Sequence, residues 1–157
     1  MPKIIEGQFV VKKDTRFGIV LARTNSLVTE RLLEGALDCL KRHGAEDAGI
    51  TVVKVPGAYE LPLAVQALCN AKSCHAIIAL GCVIRGGTPH FDYVAGEASK
   101  GVSSAALGSG IPVGFGLLTC DTLEQALERA GAKGGNKGWE AALSAIEMAD
   151  LLPRINK

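Results

Sequence analysis

Apolar residues recur along the chain in two alternating rhythms. Four short, nearly continuous apolar runs, Phe17–Leu21, Thr51–Val55, Ala76–Leu80 and Pro112–Leu118, have the length and β-branched content of strands. Between them the apolar positions spread out to a 3.6-residue period. Leu32, Leu33, Ala36, Leu37 and Leu40 mark one helical face that stops at His43-Gly44, and Val94, Ala98, Val102 and Ala105 or Ala106 mark another. A helix from about Tyr59 to Asn70 tolerates Pro62 because that residue sits in its first turn. Thr122 with Gln125 predicts a capping box for a short helix to Ala130, and a last helix buries Trp139, Leu143 and Ile146. The intervening Gly131–Gly138 is too rich in glycine to be helical.

Strand-like and helix-like runs that alternate four times predict an α/β fold: a three-layer α/β/α sandwich, flavodoxin-like, with a four-stranded parallel sheet, helices on both faces and right-handed crossovers. The opening Ile4–Lys12 stands apart. It can form a fifth strand or, since no helix links it to the next run, an N-terminal strand that pairs with a neighbouring subunit. No repeat, low-complexity segment or linker divides the chain, so residues 1–157 read as one domain.

Composition narrows the function. Seventeen Lys and Arg against sixteen Asp and Glu leave a formal charge of +1, without the basic excess of a nucleic-acid or acidic-membrane binder. The longest apolar stretch, Ala76–Ile84, is far short of the ~20 residues that span a bilayer. The first residues lack a signal-peptide pattern, so the expected location is cytoplasmic. Five cysteines, Cys39, Cys69, Cys74, Cys82 and Cys120, form an odd set with no C-x-x-C pair, which argues against a disulfide framework and a zinc site. They read as small apolar fillers in the reduced state.

Ligands of open α/β sheets bind beyond the carboxyl ends of the strands. The loop after the third strand, Gly81–His90, nearly matches the phosphate-loop pattern, but Gly87 stands where its lysine belongs, which argues against triphosphate chemistry. Thr88 as N-cap and Pro89 as first helical residue place Gly86, Gly87 and Thr88 at a helix N-terminus whose free amides suit a phosphate. Those glycines equally suit a tight strand-to-helix turn. His90, in the first helical turn, has the chemistry for proton transfer near neutral pH. Asp92 is two residues away, a spacing that supports no direct dyad. In the loop after the second strand Glu60 either complements a helix N-terminus or accepts hydrogen bonds from a polyol or heterocycle. Arg129 either complements a helix C-terminus or clamps a phosphate.

Three longer motifs are specific. Val55-Pro-Gly-Ala-Tyr-Glu-Leu-Pro62, the segment Gly81–Val94 (Gly-Cys-Val-Ile-Arg-Gly-Gly-Thr-Pro-His-Phe-Asp-Tyr-Val) and the segment Glu128–Gly138 together resemble the 6,7-dimethyl-8-ribityllumazine synthase family of riboflavin biosynthesis over nearly the whole chain. The resemblance implies a transferase that condenses 5-amino-6-ribitylaminouracil with 3,4-dihydroxy-2-butanone 4-phosphate, releasing phosphate and water, with no metal and no organic cofactor. It gives Gly87, Thr88 and Arg129 to the phosphate and proton transfer to His90. Ala58, Tyr59 and Glu60 go to the ribityl chain, the backbone of Cys82, Val83 and Ile84 to the pyrimidine, and Phe115 and Lys137 to the wall of the site. Thr24 and Asn25 fall at the pyrimidine, where the family usually has an aromatic residue before Asn25; here it is Thr24. The resemblance also implies a pentamer with sites between adjacent subunits. With no insertion between Arg129 and Trp139, it extends to a 60-subunit icosahedral shell, with riboflavin synthase as a partner. Thr24 motivates an alternative, a catalytically weak scaffold that binds ligands or forms shells. A flavin-phosphate-binding module fits less well, because the glycine-rich loop follows the third strand and not the first.

Overall fold

Two strands buried along almost their whole length set the architecture: β1 (Phe17–Ala22) and β3 (Ala76–Ile84). A strand apolar on both faces needs cover on both, the usual condition of a parallel sheet. The computed structural model describes residues 1–157 and holds one four-stranded parallel sheet in the order β2 (Ile50–Val55), β1, β3, β4 (Val113–Cys120). The helices are α1 (Ser26–Arg42), α2 (Leu61–Ala71), α3 (His90–Ser109), α4 (Leu123–Arg129) and α5 (Lys137–Ile155). Pleat alternation divides the core in two. Phe17, Ile19 and Leu21 with Ala76, Ile78 and Leu80 face α1, α4 and α5, while Val20, Ala22, Ile77 and Ala79 face α2 and α3. The expected α/β/α sandwich is the observed one.

Some boundaries move. The third strand runs on to Ile84, because Cys82, Val83 and Ile84 find partners in Leu118, Thr119 and Cys120 of a fourth strand that is itself longer than its apolar run. Gly81 therefore lies inside the sheet, where a Cβ would stand 2.9 Å from Leu117 Cδ1, and does not open a phosphate loop. The second helix starts as a 3-10 turn, Ala58–Glu60, that becomes α-helical at Leu61. Thr122 Oγ1 accepts from the Gln125 amide as the capping box predicts, but Gln125 Oε1 returns to the Asp121 amide, one residue earlier than the motif requires. The glycine-rich turn ends at Asn136, whose side chain caps α5 by accepting from Trp139 N, so Lys137 and Gly138 are helical after all. Gly138 is needed there, since a Cβ would run into the Leu32 carbonyl oxygen of α1.

Residues 4–12 form no strand within the chain; the expectation of a fifth strand is not met. The segment is tied down instead at Asp150, a buried carboxylate in α5. Oδ2 accepts from the Gln8 amide at 2.8 Å and from Arg154 Nε at 2.8 Å, and Lys12 Nζ stands 3.3 Å from Oδ1. The Gln8 amide first, then Arg154, outweigh the cost of burial and lower this carboxyl from its ordinary 3.8 to about 2. Because the folded value lies below the unfolded one, the stabilisation is complete above the ordinary value and is lost as pH falls through about 2. Asp150→Asn is expected to flatten that acid limb of the stability curve and to cost about 1–3 kcal/mol at neutral pH. Urea unfolding at a series of pH values reads both effects.

Candidate active site

The segments leaving β1 and β2 run side by side. Arg23 N donates to Val55 O at 2.9 Å and Thr24 N to Pro56 O at 3.2 Å, and the Thr24 hydroxyl also donates to Pro56 O at 2.9 Å. Asn25 follows in the left-handed region, at φ 62°, where asparagine is one of the few side chains tolerated. Its side chain does not cap α1; Nδ2 donates to Cys82 O at 2.9 Å and braces the exit of β1 against β3.

Between these exits and α3 opens a cleft of about 590 Å³. Nine of the residues anticipated from the sequence line it: Thr24, Asn25, Ala58, Tyr59, Glu60, Cys82, Val83, Ile84 and His90. The register explains the β3 contribution. Pairing of β1 with β3 stops at Leu21 and Leu80 and β1 itself ends at Ala22, so β3 overhangs its neighbour by three residues, Cys82 to Ile84. Alternate residues of the overhang, Cys82 and Ile84, turn their backbone groups to the β1 side, where Asn25 takes one carbonyl and Ile84 has no partner strand. Polar backbone at the wall of a partly apolar cleft suits the edge of a planar heterocycle. The Cys82 thiol is no nucleophile: burial, and then the nearby Cys120, push it up to about 12. All five cysteines are buried and free.

At the rim, residues 85–89 join β3 to α3. The helix starts at His90, one residue later than predicted, with Pro89 at the cap position; Thr88 Oγ1 accepts weakly from His90 N at 3.4 Å. Gly86, Gly87 and Thr88 are exposed, and none of their amides donates a hydrogen bond within the chain. The His90 imidazole is exposed in the cleft one turn from Tyr93. Tyr93, Val94 and Gly57 complete the lining and were not anticipated, although Tyr93 lies at i+3 from His90 and so shares its face.

The remaining candidates lie elsewhere. Arg129 and Lys137 line a separate groove of about 360 Å³ with Leu117–Cys120 of β4, and Arg129 Nη1 meanwhile donates to the Gln125 carbonyl of its own helix at 3.3 Å. Phe115 is 38% exposed on β4, the edge strand next to β3. No three His, Cys, Asp or Glu side chains gather where they could hold a metal ion. No helix is long and apolar enough to cross a membrane.

A doubly wound sheet with a polar, partly apolar cleft at the carboxyl ends of its strands, an exposed imidazole and a turn of free amides has the build of an enzyme for small-molecule substrates. The sequence model of 6,7-dimethyl-8-ribityllumazine synthase matches residues 14–153. The chain is 54% identical over 153 residues to a 6,7-dimethyl-8-ribityllumazine synthase of Halorhodospira halophila (strain DSM 244 / SL1), covering 98% of each chain. It is 54% identical over 155 residues to one of Syntrophus aciditrophicus (strain SB), covering 99% of this chain and 100% of that one. The chain belongs to the 6,7-dimethyl-8-ribityllumazine synthase family, enzymes of riboflavin biosynthesis.

Proposed function

We propose that the cleft and the β4 groove are two halves of one active site, completed between neighbouring copies of the chain, where 5-amino-6-ribitylaminouracil condenses with 3,4-dihydroxy-2-butanone 4-phosphate. One observation carries the reading. The residues expected to surround the substrates divide within a single chain into two surfaces, Thr24 to His90 at one and Arg129 with Lys137 at the other. A heterologous ring interface unites two such surfaces in every subunit pair.

In this reading the pyrimidine lies against the β3 overhang and Asn25, and its ribityl chain reaches Ala58, Tyr59 and Glu60. Phe115 and Lys137 of the neighbour close the site. The phosphate rests on the free amides of Gly86, Gly87 and Thr88 and is clamped by the neighbour's Arg129, because fixed N–H dipoles and a guanidinium fork both match a dianion. Attack of the amine on the ketone gives an imine with little help. The protein's tasks are alignment, retention of the phosphate until it leaves, and proton transfer by His90. Mixing both substrates with the protein and following lumazine absorbance together with phosphate release tests this. Equal molar yields of the two products support it, and absence of either contradicts it.

Thr24 sets the pyrimidine affinity. Its hydroxyl is committed to Pro56 O and offers no stacking face. Thr24→Phe restores a contact worth ~1–3 kcal/mol at the loss of a hydrogen bond worth about 1 kcal/mol. The expected result is a lower pyrimidine KM, by up to about 30-fold for a net gain of up to about 2 kcal/mol, with kcat retained; titration of the pyrimidine into both proteins checks it, and equal affinities refute the account.

Assembly belongs to the same proposal: residues 1–157 act as one domain in a pentamer, and twelve pentamers close into a 60-subunit shell in the cytoplasm, with riboflavin synthase as a partner. The tight turn supports the shell, for Ala130 and Asn136 bridge directly and leave no inserted segment between α4 and α5. The exposed Ile4, Ile5, Phe9 and Val10 support pairing of the N-terminal segment with a neighbour. Sedimentation should report sixty chains; a mass of five chains in every buffer excludes the shell.

A further inference from the structure

We propose that Arg85 is a positioning residue for phosphate capture, a clamp that fixes the Gly86–Thr88 turn and the start of α3; the inference rests on the phosphate reading above. The turn has no packing of its own. A Cβ built at Gly86 or Gly87 meets no atom within 4 Å. Adjacent glycines sample many backbone conformations, so the shape that aligns their amides has to be imposed from the ends.

Arg85 stands at one end and reaches the other. Its backbone N–H donates to Cys120 O at 2.8 Å, which extends the β3–β4 ladder by one residue. Its Nε donates to Asp121 Oδ1 at 2.9 Å, just beyond β4, and its Nη1 lies 3.6 Å from Asp92 Oδ1 in the first turn of α3. Its Cζ sits 4.4 Å from the centre of the buried Phe91 ring, in cation–π contact. One guanidinium therefore joins the exits of β3 and β4 to the two residues that follow His90. Each of these half-exposed ion pairs adds little stability by itself. Their convergence fixes register, and a displacement of about 1 Å in a site of this kind costs of order 100-fold in rate. With two carboxylates and a ring already around it, the guanidinium is placed to hold the loop and not to bind the phosphate.

Inorganic phosphate, as a competitive inhibitor against the phosphate substrate, is the probe, applied to the assembled protein. Arg85→Ala is expected to raise the inhibition constant and the KM of the phosphate substrate about tenfold, the loss of roughly one aligned amide hydrogen bond, while the pyrimidine KM holds. Arg85→Lys recovers only part, since an ammonium cannot bridge two carboxylates and stack. The decisive variant keeps Arg85 and removes its anchors. Asp92→Ala/Asp121→Ala weakens phosphate in the same way if Arg85 is a clamp; phosphate binding as tight as, or tighter than, that of the unmodified protein overturns the clamp and makes Arg85 a free cation. Competition that Arg85→Ala leaves unchanged also overturns it. Absence of competition in the unmodified protein removes the phosphate reading, and the clamp with it.

Discussion

Arg129→Ala lowers kcat/KM for the phosphate substrate by roughly 10- to 100-fold, the equivalent of one charge-assisted contact of about 1.5–3 kcal/mol. The loss falls on KM for that substrate and leaves the pyrimidine KM in place. The variant is informative because Arg129 does so little for the fold. It is the last residue of α4, and its one hydrogen bond goes to the Gln125 carbonyl at 3.3 Å. Changes at such surface positions stay within about 0.5 kcal/mol of neutral, so the melting temperature and the assembly should not move. Arg129→Lys recovers only part of the loss, because a point charge does not reproduce a two-pronged fork. Steady-state kinetics with each substrate varied in turn checks this. An unchanged KM for the phosphate substrate would remove Arg129 from the site.

His90→Ala acts on the other parameter. The expected result is a fall in kcat of about 100-fold, the lower end for a general acid–base group, because imine formation needs little assistance. Both KM values stay near those of the unmodified protein, and added imidazole restores part of the rate. The side chain is exposed and makes no hydrogen bond within the chain, so its removal leaves the core and the assembly intact. Single-turnover mixing with both substrates separates the chemical step from binding. Unaltered kcat would assign the proton transfers to solvent or to another residue.

The layered fold is readable in the chain because β1 and β3 are apolar on both faces, and only a sheet covered on both sides accommodates such runs. The strand ends are less readable. Cys82, Val83 and Ile84 look like a loop beside Gly81 and Gly86, yet Leu118, Thr119 and Cys120 across the sheet keep them extended, a long-range pairing with no local mark. Lys137 and Gly138 look like loop for a similar reason, since local glycine content says nothing of the α1 backbone that Gly138 must approach. Most of the candidate site is legible as a set of residues in the three motifs, while Thr24, Asn25 and Phe115 lie outside them and come only from the family resemblance. The site's division into two surfaces is not legible, because only the three-dimensional course of β4, α4 and α5 separates Arg129 and Lys137 from His90. Arg85 escapes for the opposite reason: its partners Asp92 and Asp121 are 29 residues apart and meet only through it.

Joint ownership of the site by two chains is tested most directly by mixing two crippled proteins. His90→Ala and Arg129→Ala are unfolded together in equal amounts and reassembled. A ring that draws its imidazole from one subunit and its guanidinium from the next then contains both groups at about one quarter of its interfaces. Assayed with the phosphate substrate far below its KM, where both parents are slow, the mixture is predicted to recover about that fraction of the unmodified activity, well above either parent reassembled alone. Activity no higher than the mean of the two parents would place His90 and Arg129 in the same chain's site and contradict the account.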